Sequence, residues 1–149
     1  MSKYDYVNQS LKNLCEECPN LNTSHCEKSQ CLVGFTKNLF DLTEKNGTRI
    51  LKNGESLIPQ FDVRNYREEL IADTIAEVCN LCAECRENHN EECVISLARR
   101  SLEIAVLPEN ALFHGSVLMY LMDVSKQNPQ LAEMIKAKYM EKKGIAARR

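Results

Sequence analysis

The chain has no tryptophan and few aromatic residues, and neither shortage narrows its function. It also lacks an excess of positive charge: the formal net charge is −2 and the pI is near 6.0. That balance excludes a molecule built as a whole to coat nucleic acid. No stretch approaches the roughly 18 consecutive apolar residues of a membrane span. The opening, MSKYDYVNQSLKNLCEECPN, has no basic start followed by an apolar run, so no signal peptide is visible. The expected setting is the cytoplasm. Walker loop, dinucleotide fingerprint, HExxH, nucleophile elbow and the radical-enzyme CxxxCxxC pattern are all missing. Catalysis therefore has no support, and the balance favours a protein that is not an enzyme.

What the chain does have is cysteine. Of its 149 residues, 8 are cysteines and 44% are hydrophobic. The apolar content suffices for a real core in a single domain, 1–149. In a reducing compartment the cysteines are better read as metal ligands than as a disulfide framework. They fall into two clusters, within residues 15–31 and 79–93.

The clusters share a text: NLCEEC at residues 13–18 returns as NLCAEC at 80–85. Cys15, Cys18 and Cys26 are spaced C-x2-C-x7-C, and so are Cys82, Cys85 and Cys93. An internal duplication is expected, with units at about 4–42 and 71–109. The fourth ligand breaks the symmetry, being Cys31 in the first set and Cys79 in the second. The expected metal ligands are therefore Cys15, Cys18, Cys26 and Cys31 at one centre and Cys79, Cys82, Cys85 and Cys93 at the other. Whether Cys31 and Cys79 serve their own site or the other stays open.

A zinc ion wants four sulfurs in a closed tetrahedron, which the first set can supply. The second set opens C-x2-C-x2-C, and that triplet resembles the one bacterial ferredoxins wrap around a [4Fe–4S] cluster. Three cysteines at i, i+3 and i+6 of a straight helix spread over roughly 9 Å of axis, which suits a cubane better than one ion. The resemblance ends at the triplet: His89 stands at the spacing of the fourth ferredoxin cysteine, and the strand pattern is missing. Two iron–sulfur clusters of the [4Fe–4S] type are the expected cofactors, and two Zn2+ are the alternative. His25 and His89 lie in the two loops, where a surface or supporting role outweighs a ligand role.

Hydrophobic periodicity predicts an all-α fold of about six helices. They fall at residues 3–14, at 32–45 before Asn46-Gly47, after a capping box of Asn65 and Glu68, at 94–107 before Pro108, at 110–126 capped by Asn110, and at 129–143 after Asn128-Pro129, ending at Gly144. Asn53-Gly54 between short apolar runs predicts a type I′ β-hairpin at residues 49–58. The last two helices cover the core, and a basic tail follows at 144–149. His114 falls on an apolar helix with no catalytic partner, and Met119, Met122, Met134 and Met140 are expected in the core or an interface.

From Lys136 to Arg149 the chain holds six basic residues and one acid. That stretch suits a helix end and a loose tail, and nucleic-acid binding is the weaker reading. Glu16, Glu17, Glu84, Glu87, Glu91 and Glu92 crowd the cysteine loops and suit a basic protein partner. The functions to weigh are electron transfer or redox sensing, a zinc-stabilised interaction module, and an accessory factor for another metalloprotein. If the units pack face to face around an approximate two-fold axis, the two loops are expected side by side, close enough to pass electrons.

Overall fold

The computed structural model describes residues 4–18, 31–60, 66–84, 92–111, 113 and 116–147, with backbone alone at 82–84 and 143–147. The fold is all-α. Six α-helices form among these residues: α1 (Asp5–Glu16), α2 (Leu32–Asn46), α3 (Glu68–Glu84), α4 (Val94–Ile104), α5 (Val117–Gln127) and α6 (Pro129–Ala147).

α3 is the centre. Ile71, Ala72, Thr74, Ile75, Ala76, Val78, Cys79 and Leu81 are all buried, covering most of its circumference. A helix apolar on so many sides needs neighbours all round, and α1, α4 and α6 supply them. α1 is amphipathic and turns Val7, Leu11 and Leu14 inward. α2 buries Leu32, Val33, Phe35, Leu39 and Phe40. Leu42, on the same helix, is 37% exposed.

The two helical hairpins pack like on like, α1 along α3 and α2 along α4. Both pairings are antiparallel. Ser10 donates to Asp73 at 2.9 Å, and Glu17 at the end of α1 meets Arg67, just before α3, at 2.7 Å. Ser101 late in α4 donates to the carbonyl of Leu32 at the start of α2, at 3.1 Å. At the other end, the amide of Val94 reaches Arg49 O at 2.9 Å. The end of α1 and the start of α2 therefore lie at one pole of the core. The end of α3 and the start of α4 lie at the opposite pole.

Several boundaries follow their capping signals. Gly47 ends α2 at φ +70°, and the Asn128 side chain caps α6 by accepting from the Leu131 amide at 3.0 Å. α6 runs past Gly144 to Ala147. Other boundaries depart from expectation. α3 begins at Glu68, which is thus the first helical residue and not the third residue of a capping box; Asn65 lies outside the described residues. α5 is capped by Ser116, whose hydroxyl accepts from the Met119 amide, and not by Asn110. Asn110 instead donates to Arg100 O and to Glu103 at 3.0 Å each, holding the connector against α4.

The β-hairpin at 49–58 does not form. Type I′ geometry needs positive φ at both central residues, and of the pair only Asn53 has it, at 58°. Gly54 instead opens one turn of 3-10 helix, Gly54–Leu57, and Ile50 makes an isolated antiparallel bridge to Cys93. Gly54 is buried there, and a Cβ on it would come within 2.5 Å of Leu97 Cδ1, so the Leu97 side chain would have to shift to admit one.

Candidate functional site

Three of the first four cysteines frame one pole of the core. Cys15 sits at the end of α1, and Cys18 follows one turn later, with its amide donating to Cys15 O at 3.0 Å. Cys31 is the N-cap of α2, its sulfur accepting from the Gly34 amide at 3.4 Å. All three are half-buried. Their sulfurs have company from outside the cysteine cluster: Lys37 Nζ lies 3.4 Å from Cys15 Sγ, and Tyr66 Oη lies 3.1 Å from Cys31 Sγ. Arg67, beside Tyr66, pairs with Glu17, whose carboxylate raises its pKa through a hydrogen bond and then through charge. Cys26 and His25 lie outside the described residues.

The other pole is organised differently. Cys79 stands on α3 and is fully buried. Its sulfur is close enough to Tyr139 to help raise that phenol's pKa, after burial. It also contributes at Tyr120, after burial and the charge of Glu103. α3 continues unbroken through Cys82 to Glu84. Cys93 is half-buried and forms the N-cap of α4. Cys85 and His89 lie outside the described residues, and of Cys82 only the backbone is described. His114 is likewise outside them.

Position in the fold re-registers the two clusters. Cys31 and Cys93 hold the same place, each capping the second helix of its hairpin. The spacing alone matched Cys93 with Cys26. That mismatch arises because equal gaps between cysteines ignore where the helix restarts.

The expectation that both loops share one end is overturned by the antiparallel pairings. The poles are separated by about the length of α1, roughly 18 Å at 1.5 Å per residue. Among the described residues, no three His, Cys, Asp or Glu side chains are grouped so as to hold a metal ion, and none of the five described cysteines forms a disulfide. No helix among them is long and apolar enough to cross a membrane.

Of the acidic residues near the loops, Glu17 is committed to Arg67, and Glu92 accepts from the Asn53 amide at 2.8 Å. Met119, Met122 and Met140 are exposed, whereas Met134 packs against the core. Lys37 and Tyr66 were not legible as site residues, because each meets its sulfur across a helix pairing and not along the sequence. No family model, curated protein or solved structure matches the chain.

Proposed function

We propose that this chain is a metal-binding helical protein whose cysteine loops hold two thiolate-ligated centres, one at each pole. Iron–sulfur clusters of the [4Fe–4S] type are the favoured form, serving electron transfer or redox sensing toward a protein partner. The observation that carries this reading is the placement of Cys15, Cys18 and Cys31 at one pole of the core, with polar donors on two of the sulfurs, though the three side chains are not drawn together into a ligand set there. Cys26 lies between Cys18 and Cys31 in sequence and would complete four thiolates, and the α2 N-terminus and Lys37 offer positive potential to an anionic centre. When bound, a cluster would supply one-electron chemistry. The protein's own part is to hold the sulfurs, donate to them and restrict water. With the poles apart, each centre acts alone, and a direct relay between them is dropped.

The second reading is zinc, and one observation favours it. Cys79 is buried in the core, and α3 does not unwind to free it. Cys82, Cys85 and Cys93 would then need a different fourth ligand, and His89 in the same loop would make a Cys3His zinc site. Anaerobic purification followed by iron, sulfide and zinc analysis separates the two. A brown protein with broad visible absorbance and matching iron and sulfide supports clusters, and a colourless one with zinc supports the module. Absence of every metal, together with an unchanged melting temperature in Cys15→Ser, would sink both.

A further inference from the structure

We propose that the C-terminal part of α6 is a strap closed over the Cys79 thiol, with Lys142 as its latch, so that the latch controls access of thiol-reactive molecules to that sulfur. The proposal stands apart from the metal-binding reading and uses no residue outside those described.

α6 is held unevenly along its length. Its first turns bury Leu131, Ala132 and Ile135, and Met134 packs against the same core. Its start is also tied by polar bonds. Asn128 caps it and donates to Glu68, where α3 begins, at 3.2 Å. Farther on the anchors thin out. From Lys136 to Lys142 only Tyr139 is buried, while Lys136, Ala137, Lys138, Met140 and Glu141 are exposed. A helical segment with so few buried contacts opens before the rest of a fold does.

Lys142 compensates for that thin packing. Its ammonium lies 2.9 Å from Asp73 Oδ1 and 2.8 Å from Glu77 Oε1, both on α3. The three side chains are only 12–21% exposed, so salt screens this contact less than an open surface pair. Asp73 is itself fixed, because its other oxygen accepts from Ser10 of α1 at 2.9 Å. The ammonium thus closes on carboxylates that two other helices already hold. Without its charge, Asp73 and Glu77 stand one helical turn apart as like charges with no cation between them.

What the strap covers is Cys79, two residues beyond Glu77 on α3 and 0% exposed. Tyr139, the buried anchor of the strap, lies close enough for the Cys79 sulfur to add to the rise that burial causes in the phenol's pKa. Lifting the end of α6 takes Tyr139 off the sulfur while Leu131, Ala132 and Ile135 keep the start of the helix in place. The thiol is sealed with the latch engaged and open to small electrophiles with it released.

The test uses the full chain and short pulses of N-ethylmaleimide, with labelling read at each cysteine by peptide mass spectrometry. Hydrogen exchange of residues 136–147 is followed in parallel. Lys142→Met should raise the Cys79 labelling rate about tenfold, the order expected from losing charge-assisted bonds. Exchange across 136–147 should quicken while α2 keeps its wild-type protection. Lys142→Arg keeps the charge and should restore slow labelling. Cys79 labelling at the wild-type rate in Lys142→Met overturns the gate, whatever the exchange shows. Faster exchange shared equally by α2 also overturns it, because the chain then opens as a whole. Should Lys142→Met fail to fold, the wild type carries the test in low urea. A local opening exposes little surface, so the Cys79 labelling rate should rise with urea far less steeply than global unfolding does. A slope equal to the global one overturns the strap.

Discussion

The Arg99 guanidinium meets the Glu103 carboxylate at 2.9 Å, one helical turn away, with both side chains almost wholly shut off from water. Burying two charges costs several kcal/mol each, so the pair survives only with further partners. It has them. The guanidinium lies over Phe113 at 5.2 Å and Tyr120 at 5.1 Å, and it donates to Ala111 O at 3.3 Å. Glu103 also accepts from the Ala111 amide and from Asn110, both at 3.0 Å. The cluster thereby pins the connector between α4 and α5. Glu103→Ala should cost about 3–5 kcal/mol by stranding the buried cation. The double change Arg99→Met with Glu103→Leu should cost less than Glu103→Ala alone. Urea unfolding of the wild type and these two variants checks this, and a double variant less stable than Glu103→Ala would refute the prediction.

Stability should fall at alkaline pH. Burial, then the charge of Glu103, holds the Tyr120 pKa well above its ordinary 10.0. Burial and the Cys79 sulfur raise Tyr139. Burial alone would lower Lys142, but its bonds to Glu77 and Asp73 outweigh that and leave it raised. In all three the folded chain grips its proton more tightly than the unfolded chain. Their contribution is therefore complete below about pH 10 and is lost as pH rises through the folded values. Tyr120→Phe should flatten the decline in urea midpoint above about pH 10, and an unchanged slope would count against it.

On the two-centre proposal, each centre should respond only to its own cysteines. Cys31→Ser is then expected to perturb the centre proposed at Cys15, Cys18 and Cys26 while leaving the signal of the other intact. Ligand exchange between poles would have to bridge roughly 18 Å of helix. Spectroscopy or metal content of the single variant decides, and loss of both centres at once would restore the exchanged arrangement.

Gly54→Ala should destabilise by about 1–3 kcal/mol, since the new methyl meets the Leu97 side chain and forces it or the 3-10 turn to move. In a Leu97→Ala background, which itself loses stability by opening a cavity, Gly54→Ala should cost less than it does in the wild type. Thermal melts of the single and double variants provide the readout.

The helices were legible wherever a stop signal and an apolar stripe coincided, as at Gly47 and at Asn128-Pro129. Local signals failed where a distant group claimed the same atoms. Asn110 reads as a cap, but buried Glu103 and Arg100 O take its side chain. Asn53-Gly54 reads as a hairpin, but the backbone of Ile50 pairs with Cys93. An Arg–Glu pair at i, i+4 reads as surface decoration, and nothing in the spacing of Arg99 and Glu103 marks it as interior. The cysteine clusters were visible at once, while the direction in which their hairpins pack was not. Like apolar faces can meet parallel or antiparallel, and only cross-helix contacts such as Ser10 to Asp73 choose.

That antiparallel choice bears on how any preparation of the protein should be judged. If the proposed centres form, the cysteine poles at the two tips of the bundle would let oxygen or a chelator strip one tip while the other stays loaded. Fractional stoichiometry would then reflect a mixture of species, empty at either tip or at both, rather than weak binding throughout. Native mass spectrometry under anaerobic conditions would resolve those species as separate peaks, and the order in which they empty would show which tip is the more fragile.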